Sequence, residues 1–254
     1  MTRTPAHTLA WTGDGAAHLR GLMTRMGDDA FTAPSRLPGW SRAHVLTHIA
    51  RNADGMINLL TWARTGVPTP AYVSIEARNA DIEAGAGRSP AAIRADVVAT
   101  SDRLAEEIRA MPEQAWSATI RTVQGKEIPA TDITWLRARE MWIHAVDLDV
   151  GASFTDLPAP MVTELIDEVV TTLGAAPGCP PLRLVAQDQG RTWTVAPDAD
   201  AATDPVTVSG TAEVDAVTVA GTAPALVGWL LGRSRGRDLR TTDGRRPPPL
   251  PRWL

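Results

Sequence analysis

Two short segments hold the side chains best suited to bind a divalent metal. In RAHVLTHIARNAD, His44, His48 and Asn52 recur at four-residue spacing, which sets them on one face of a helix. In WLRAREMWIHAVDLD, Glu140 and His144 stand four apart, with Asp147 three residues further on. An i, i+4 Glu/His pair places both side chains over one turn, and a histidine from a facing helix completes a three-ligand set. Mixed nitrogen and oxygen donors suit zinc best, with nickel, iron and manganese as alternatives. Three protein ligands also leave a coordination position open, as catalytic sites do. His44 competes with His48 for the third place, and Asp147 and Asn52 suit the role of partners that orient an imidazole. Spacing does not decide the matter. A histidine on an apolar helix face is often a core residue with satisfied hydrogen bonds. Arg137 and Arg139 are also spaced to pair with Glu140 as surface ion pairs, worth about 0–1 kcal/mol.

The elements that must carry these residues are helical for the first 150 positions. A loose amphipathic stripe of Leu9, Leu19, Leu22, Met23 and Met26 predicts a first helix over about 5–26, weakened by Gly13 and Gly15. After a loop with Pro34, Pro38 and Gly39, Ser41 is placed to cap a long helix towards Arg64. Its stripe is Val45, Ile49, Asn52 or Ala53, Met56 and Leu60, at three- and four-residue spacing. Ser89-Pro90 opens a third helix, with proline at the first helical position and Pro112 at its end. A fourth runs from about Thr131 to Val150, with Gly151 as its stop. Four such helices predict an up-and-down bundle or a close variant.

Beyond a boundary near 151–159 the pattern changes. A helix over 160–173 is followed by strand-like runs at 182–186, 192–196, 206–209 and 214–219, then a helix over about 222–231 and an arginine- and proline-rich tail. The expected domains are therefore a helical bundle over 1–152 and a small α/β domain over 153–254.

Composition narrows the function classes. A net charge of −4 gives no general reason to expect nucleic acid. Seven arginines crowd positions 233–252, but that stretch lacks the aromatic platforms that stack bases. The longest apolar run, 225–231, is too short to span a bilayer, and Asp14 with its flanking glycines breaks any signal-peptide core. A cytoplasmic location is the expectation, and the chain is expected to act as a monomer or weak homo-oligomer. Cys179, the sole cysteine, lies in the turn APGCPP. It forms no internal disulfide and sits badly for a nucleophile, so any thiol chemistry draws its thiol from outside the chain. Nine tryptophans against one tyrosine suit the walls of a bundle and a pocket.

Longer blocks carry a family likeness. LPGWSRAHVLTHIARNADGMINLLTWARTG, followed by REMWIHAVDL, resembles the mycothiol-dependent maleylpyruvate isomerase family, a branch of the DinB-like metalloenzymes. The likeness covers the chain to about Gly151. It continues more weakly into VAGTAPALVGWLLGR, which resembles the family's small C-terminal domain with its sterol-carrier-like fold.

The resemblance implies a DinB-like four-helix bundle followed by a small α/β domain. It implies zinc held by His48, Glu140 and His144, and an active-site arginine from the C-terminal domain whose nearest match is Arg233. It implies mycothiol as thiol cosubstrate and a small-molecule substrate, maleylpyruvate, converted to fumarylpyruvate by reversible thiolate addition. Two other readings stand beside it: a mycothiol S-transferase on the same scaffold, and a non-enzymatic carrier of an apolar ligand.

Overall fold

The computed structural model describes residues 5–196 and 216–253. The chain divides into two compact units, Met1–Ser153 and Phe154–Leu254.

The first unit contains α1 (Pro5–Arg25), α2 (Arg42–Thr65), α3 (Ile75–Ala86), α4 (Pro90–Arg109) and α5 (Asp132–Asp147). A short hairpin, β1 (Thr119–Arg121) with β2 (Glu127–Pro129), lies between α4 and α5. Ser41 caps α2 as the sequence predicts, its hydroxyl accepting from the His44 backbone N–H. Ser89 caps α4, with Pro90 in the first turn. The α1 stripe is buried at Leu19, Leu22, Met23 and Met26, whereas Leu9 is 42% exposed. These residues share a core with Val45, Leu46 and Ile49 of α2, Ile93 and Val97 of α4, and Met141 and Ala145 of α5. Each large apolar side chain so buried contributes about 1.5–3 kcal/mol.

The packing order departs from a simple up-and-down bundle. α1 packs on α5, and α2 packs on both α4 and α5. Successive helices α1 and α2 therefore lie across the bundle from one another, as do α4 and α5. The long connections over 26–41 and 110–131 make those diagonal crossings possible. The consequence is functional: α2 and α5, which would sit diagonally in a simple bundle, become neighbours.

Hydrogen bonds between α2 and α5 fix their direction. Arg42, at the start of α2, donates from Nε to Leu148 O at 2.8 Å and from Nη2 to Asp149 O at 2.9 Å, capping carbonyls at the end of α5. Further along, Arg137 Nη1 donates to Ile49 O and to Asn52 Oδ1, both at 2.8 Å. The pairs 42 with 148 and 52 with 137 describe antiparallel helices, and that register brings 48 level with 140–144. α5 ends at Asp147 rather than Val150, because Asp149 turns left-handed at φ 54°.

α3 has no counterpart in the sequence reading. Ser74 caps it, accepting from Ala77 N at 3.1 Å, but only Ile82 and Gly85 are buried. Its docking relies on two glycines. A Cβ on Gly85 would meet Thr47 Cγ2 at 2.4 Å, and one on Gly55 would meet Ala71 O and the Tyr72 ring at 3.2 Å. Bare backbone lets α3 and the loop before it lie flat on α2.

In the second unit α6 (Ala159–Gly174) lies against α7 (Ala223–Leu230) and a four-stranded sheet. β3 (Leu182–Ala186) and β4 (Arg191–Val195) form an antiparallel hairpin. β5 (Val217–Gly221) runs parallel to β3, and β6 (Arg240–Thr241) closes the far edge antiparallel to β5. Within the arginine-rich tail the sequence showed no strand, so β6 is an addition. The expected strand at 206–209 lies outside the described residues. Among the described residues, no helix is long and apolar enough to cross a membrane.

Candidate metal centre

His48 lies in the second turn of α2, on the side turned to α5, and Glu140 and His144 sit one turn apart on α5. The antiparallel register turns all three inwards. His48 Nε2 lies 2.8 Å from Glu140 Oε2 and 3.1 Å from His144 Nε2, and His144 Nε2 lies 3.3 Å from Glu140 Oε2. Two donors bound tetrahedrally to one zinc at 2.0–2.1 Å stand about 3.3 Å apart. The triangle of donor atoms is therefore close to the size such an ion requires. The imidazole rings of His48 and His144 are near perpendicular, at 89°. His48 is 5% exposed, while the side chains of His144 and Glu140 keep 13% and 22% of their surface. One edge of the cluster thus opens to solvent, and Trp40 covers another, its ring 5.6 Å from that of His48.

The surrounding shell orients the rings. Asp147, wholly buried, places Oδ2 2.9 Å from His144 Nδ1; a carboxylate there holds the proton on Nδ1 and leaves Nε2 to face the centre. The sequence expectation for Asp147 holds. Asn52 differs: its carbonyl oxygen is taken by Arg137, not by an imidazole. Arg137 also departs from a surface ion pair. It is 1% exposed and ties Ile49 O and Asn52 of α2 to Ser101 of α4. His44 is engaged elsewhere. Its Nδ1 accepts from Ser41 N at 3.2 Å, completing a capping box, and its Nε2 faces Glu83 Oε2 at 3.1 Å.

The electrostatics reflect a set of buried acceptors. Burial opposes charge on Glu140, yet hydrogen bonds from His144 and His48 outweigh it and hold the carboxyl well below its ordinary range. Burial also opposes charge on His144, but its bonds to Asp147 and Glu140 prevail and push it up to about 9. At His48 burial wins, and its pKa is lowered. Burial brings the Arg137 guanidinium down to about 10, still protonated at neutral pH.

Two residues near the centre escaped the sequence reading. Arg78, on α3, places Nη2 2.9 Å from His48 Nδ1. Tyr72, the only tyrosine, lies with its ring 5.6 Å from the Arg78 guanidinium carbon, and burial raises its pKa. The available signal was Ser74 as a cap followed by Glu76, which would have marked α3 and drawn Arg78 to attention. Arg233, in the second unit, directs Nη1 to Leu231 O at 2.8 Å.

A four-helix bundle whose neighbouring antiparallel helices converge two imidazoles and a carboxylate on one point defines a DinB-like bundle with a candidate metal site. The chain belongs to the mycothiol maleylpyruvate isomerase family. Residues 12–149 match the mycothiol maleylpyruvate isomerase N-terminal domain, and residues 156–251 match the MDMPI C-terminal domain. Among solved structures, the chain is similar to the mycothiol-dependent maleylpyruvate isomerase, with 33% identity and a TM-score of 0.85 over 99% of this chain and 98% of that one. A histidine-to-alanine mutant of that enzyme matches with 32% identity, the same TM-score and the same coverage. YfiT from Bacillus subtilis, described as a probable metal-dependent hydrolase with an unusual four-helix bundle topology, matches 59% of this chain and 86% of its own. Its TM-score is 0.50 at 14% identity, a likeness of fold alone. Comparison with curated proteins gave no match.

Proposed function

We propose that this chain is a zinc-dependent isomerase that uses mycothiol to convert maleylpyruvate to fumarylpyruvate. The observation that carries the reading is the triangle of His48, Glu140 and His144 donor atoms, 2.8–3.3 Å on a side, in a chain a third identical to an enzyme of that name.

In this reading His48 and His144 offer neutral Nε2 atoms and Glu140 a carboxylate oxygen to one zinc ion. A zinc ion bound there supplies the charge that keeps a visiting thiol deprotonated near neutral pH, against an ordinary thiol value of about 8.5. Asp147 fixes the His144 ring, and Trp40 shields the His48 side from water. The substrate has a cis double bond conjugated to a ketone. Mycothiol thiolate adds to the alkene carbon β to that ketone, and the displaced electron pair moves onto the carbonyl oxygen as an enolate. The former double bond is then single and rotates. Collapse of the enolate re-forms the alkene in the trans geometry and expels the same thiolate, so neither protons nor electrons are consumed.

Arg233 is assigned, on the family likeness, to a substrate carboxylate or the enolate oxygen, a task suited to a planar guanidinium. The partners are accordingly mycothiol and a small dicarboxylate, and the site of action the cytoplasm.

An absorbance assay on zinc-loaded protein tests the reading. Maleylpyruvate should turn over many times per mycothiol added, with the free thiol recovered, and Arg233→Met should slow it. Thiol consumed one for one with an electrophile would instead assign the chain as a mycothiol S-transferase.

A further inference from the structure

Beside the metal centre lies a cavity of about 240 Å³ between α2 and the segment that leads into α3, lined by Arg51, Asp54, Asn58, Tyr72, Arg78 and Asp81 among others. Its charged residues differ in how they are engaged. Arg51 reaches both oxygens of Asp96, at 2.9 and 3.1 Å, and Asp54 at 3.1 Å. Asp54 also receives Arg103 at 2.7 Å. Arg78 has no carboxylate within ion-pair distance among the described residues. Its partners are His48 Nδ1 at 2.9 Å, the neighbouring Asn79 Oδ1 at 2.9 Å and the face of Tyr72. A half-buried guanidinium held only by neutral groups, at the wall of a cavity, is a ready receptor for an anion.

The bond to His48 also has a direction. Arg78 can only donate, so His48 Nδ1 accepts and the ring proton sits on Nε2. Arg78 thus borders both the far side of the His48 ring and the cavity.

We infer that Arg78 binds a substrate carboxylate next to the candidate metal centre. The inference rests on the isomerase reading for the identity of the substrate as a dicarboxylate; it adds a second cation to Arg233, from α3. The carboxylate in question is the one on the alkene carbon that the thiolate attacks, since that carbon must lie against the centre.

Calorimetric titration of zinc-loaded, thiol-free protein with maleate, a four-carbon cis dicarboxylate, tests this directly. Arg78→Met should weaken maleate binding by about 10- to 100-fold, as loss of a charge-assisted hydrogen bond does, with zinc content unchanged. Arg78→Lys should fall between, keeping the charge without the fork. In the isomerase assay, Arg78→Met should raise KM for maleylpyruvate more than it lowers kcat. Maleate bound equally by the native and Met chains, absence of maleate binding to either, or zinc loss that accounts for the weakening would each overturn the inference. Should the native chain fail to isomerise maleylpyruvate while maleate binding still depends on Arg78, the isomerase reading falls and the anion site stands.

Discussion

Two clusters of hydrogen-bonded side chains, one in each unit, show why only one of them invites a metal. In the second unit Arg191 Nη2 meets both oxygens of Asp167 at 2.9 and 3.0 Å, and the Trp193 indole N–H donates to Asp167 at 2.5 Å. Every acceptor there has a donor, and both charged side chains are more than a third exposed. Between α2 and α5 the arrangement differs: two imidazole nitrogens and a carboxylate oxygen lie within 3.3 Å of one another in a largely buried space, with the Arg78 guanidinium on the far Nδ1 of the His48 ring. The first cluster is complete as it stands. The second accommodates a proton on His144, and in the proposed reading a metal ion at the meeting point takes that proton's place.

Removing a ligand should separate the two clusters most sharply. His48→Ala, Glu140→Gln and His144→Ala should each abolish stoichiometric zinc and lower kcat/KM by about 10³-fold or more, read by metal analysis and the isomerase assay on the same samples. Removing the partner of His144 is milder. Asp147→Asn should weaken zinc binding about 10- to 100-fold, measured by competition with a chelator of known affinity.

The pH dependence follows from the same proton. His144, raised to about 9 in the metal-free protein from an unfolded value of about 6.5, adds stability that is full below pH 6.5 and lost as pH rises towards 9. Zinc must displace that proton. Apparent zinc affinity should therefore rise about tenfold per pH unit between roughly 6.5 and 9, with about one proton released per ion in calorimetry across buffers. An affinity flat over that range would break the contrast between a proton-completed and a self-sufficient cluster. The smallest effect belongs to the second unit. Asp167→Asn should cost no more than about 1 kcal/mol by urea denaturation and leave zinc content unchanged.

The donor set was legible in the sequence because its spacing is local: four residues separate Glu140 from His144, and the Ser41 cap with the Val45 and Ile49 stripe marks the helix bearing His48. What brings the helices together was not legible. Adjacency of α2 and α5 depends on diagonal connections and on Arg42 reaching the carbonyls of Leu148 and Asp149, contacts across more than 100 residues. Arg137 read as a surface residue because a charged side chain next to Glu140 has an easy partner in sequence; its actual acceptors, Ile49 O, Asn52 Oδ1 and Ser101 Oγ, lie on other helices. α3, and Arg78 with it, stayed hidden because it buries little apolar surface and docks through Gly55 and Gly85, whose missing side chains leave no apolar pattern to read. In the second unit, β3 and α6 were visible as strand and helix patterns, while the two-residue edge strand β6 was too short for any periodicity to show.

X-ray absorption at the zinc edge bears most directly on whether this centre delivers a thiolate. On protein loaded with one equivalent of zinc, two nitrogen donors and an oxygen at about 2.0–2.2 Å are expected, and mycothiol should add one sulfur at about 2.3 Å, a signal absent in His144→Ala. Zinc that keeps a purely nitrogen and oxygen shell in the presence of saturating mycothiol would contradict the proposed chemistry.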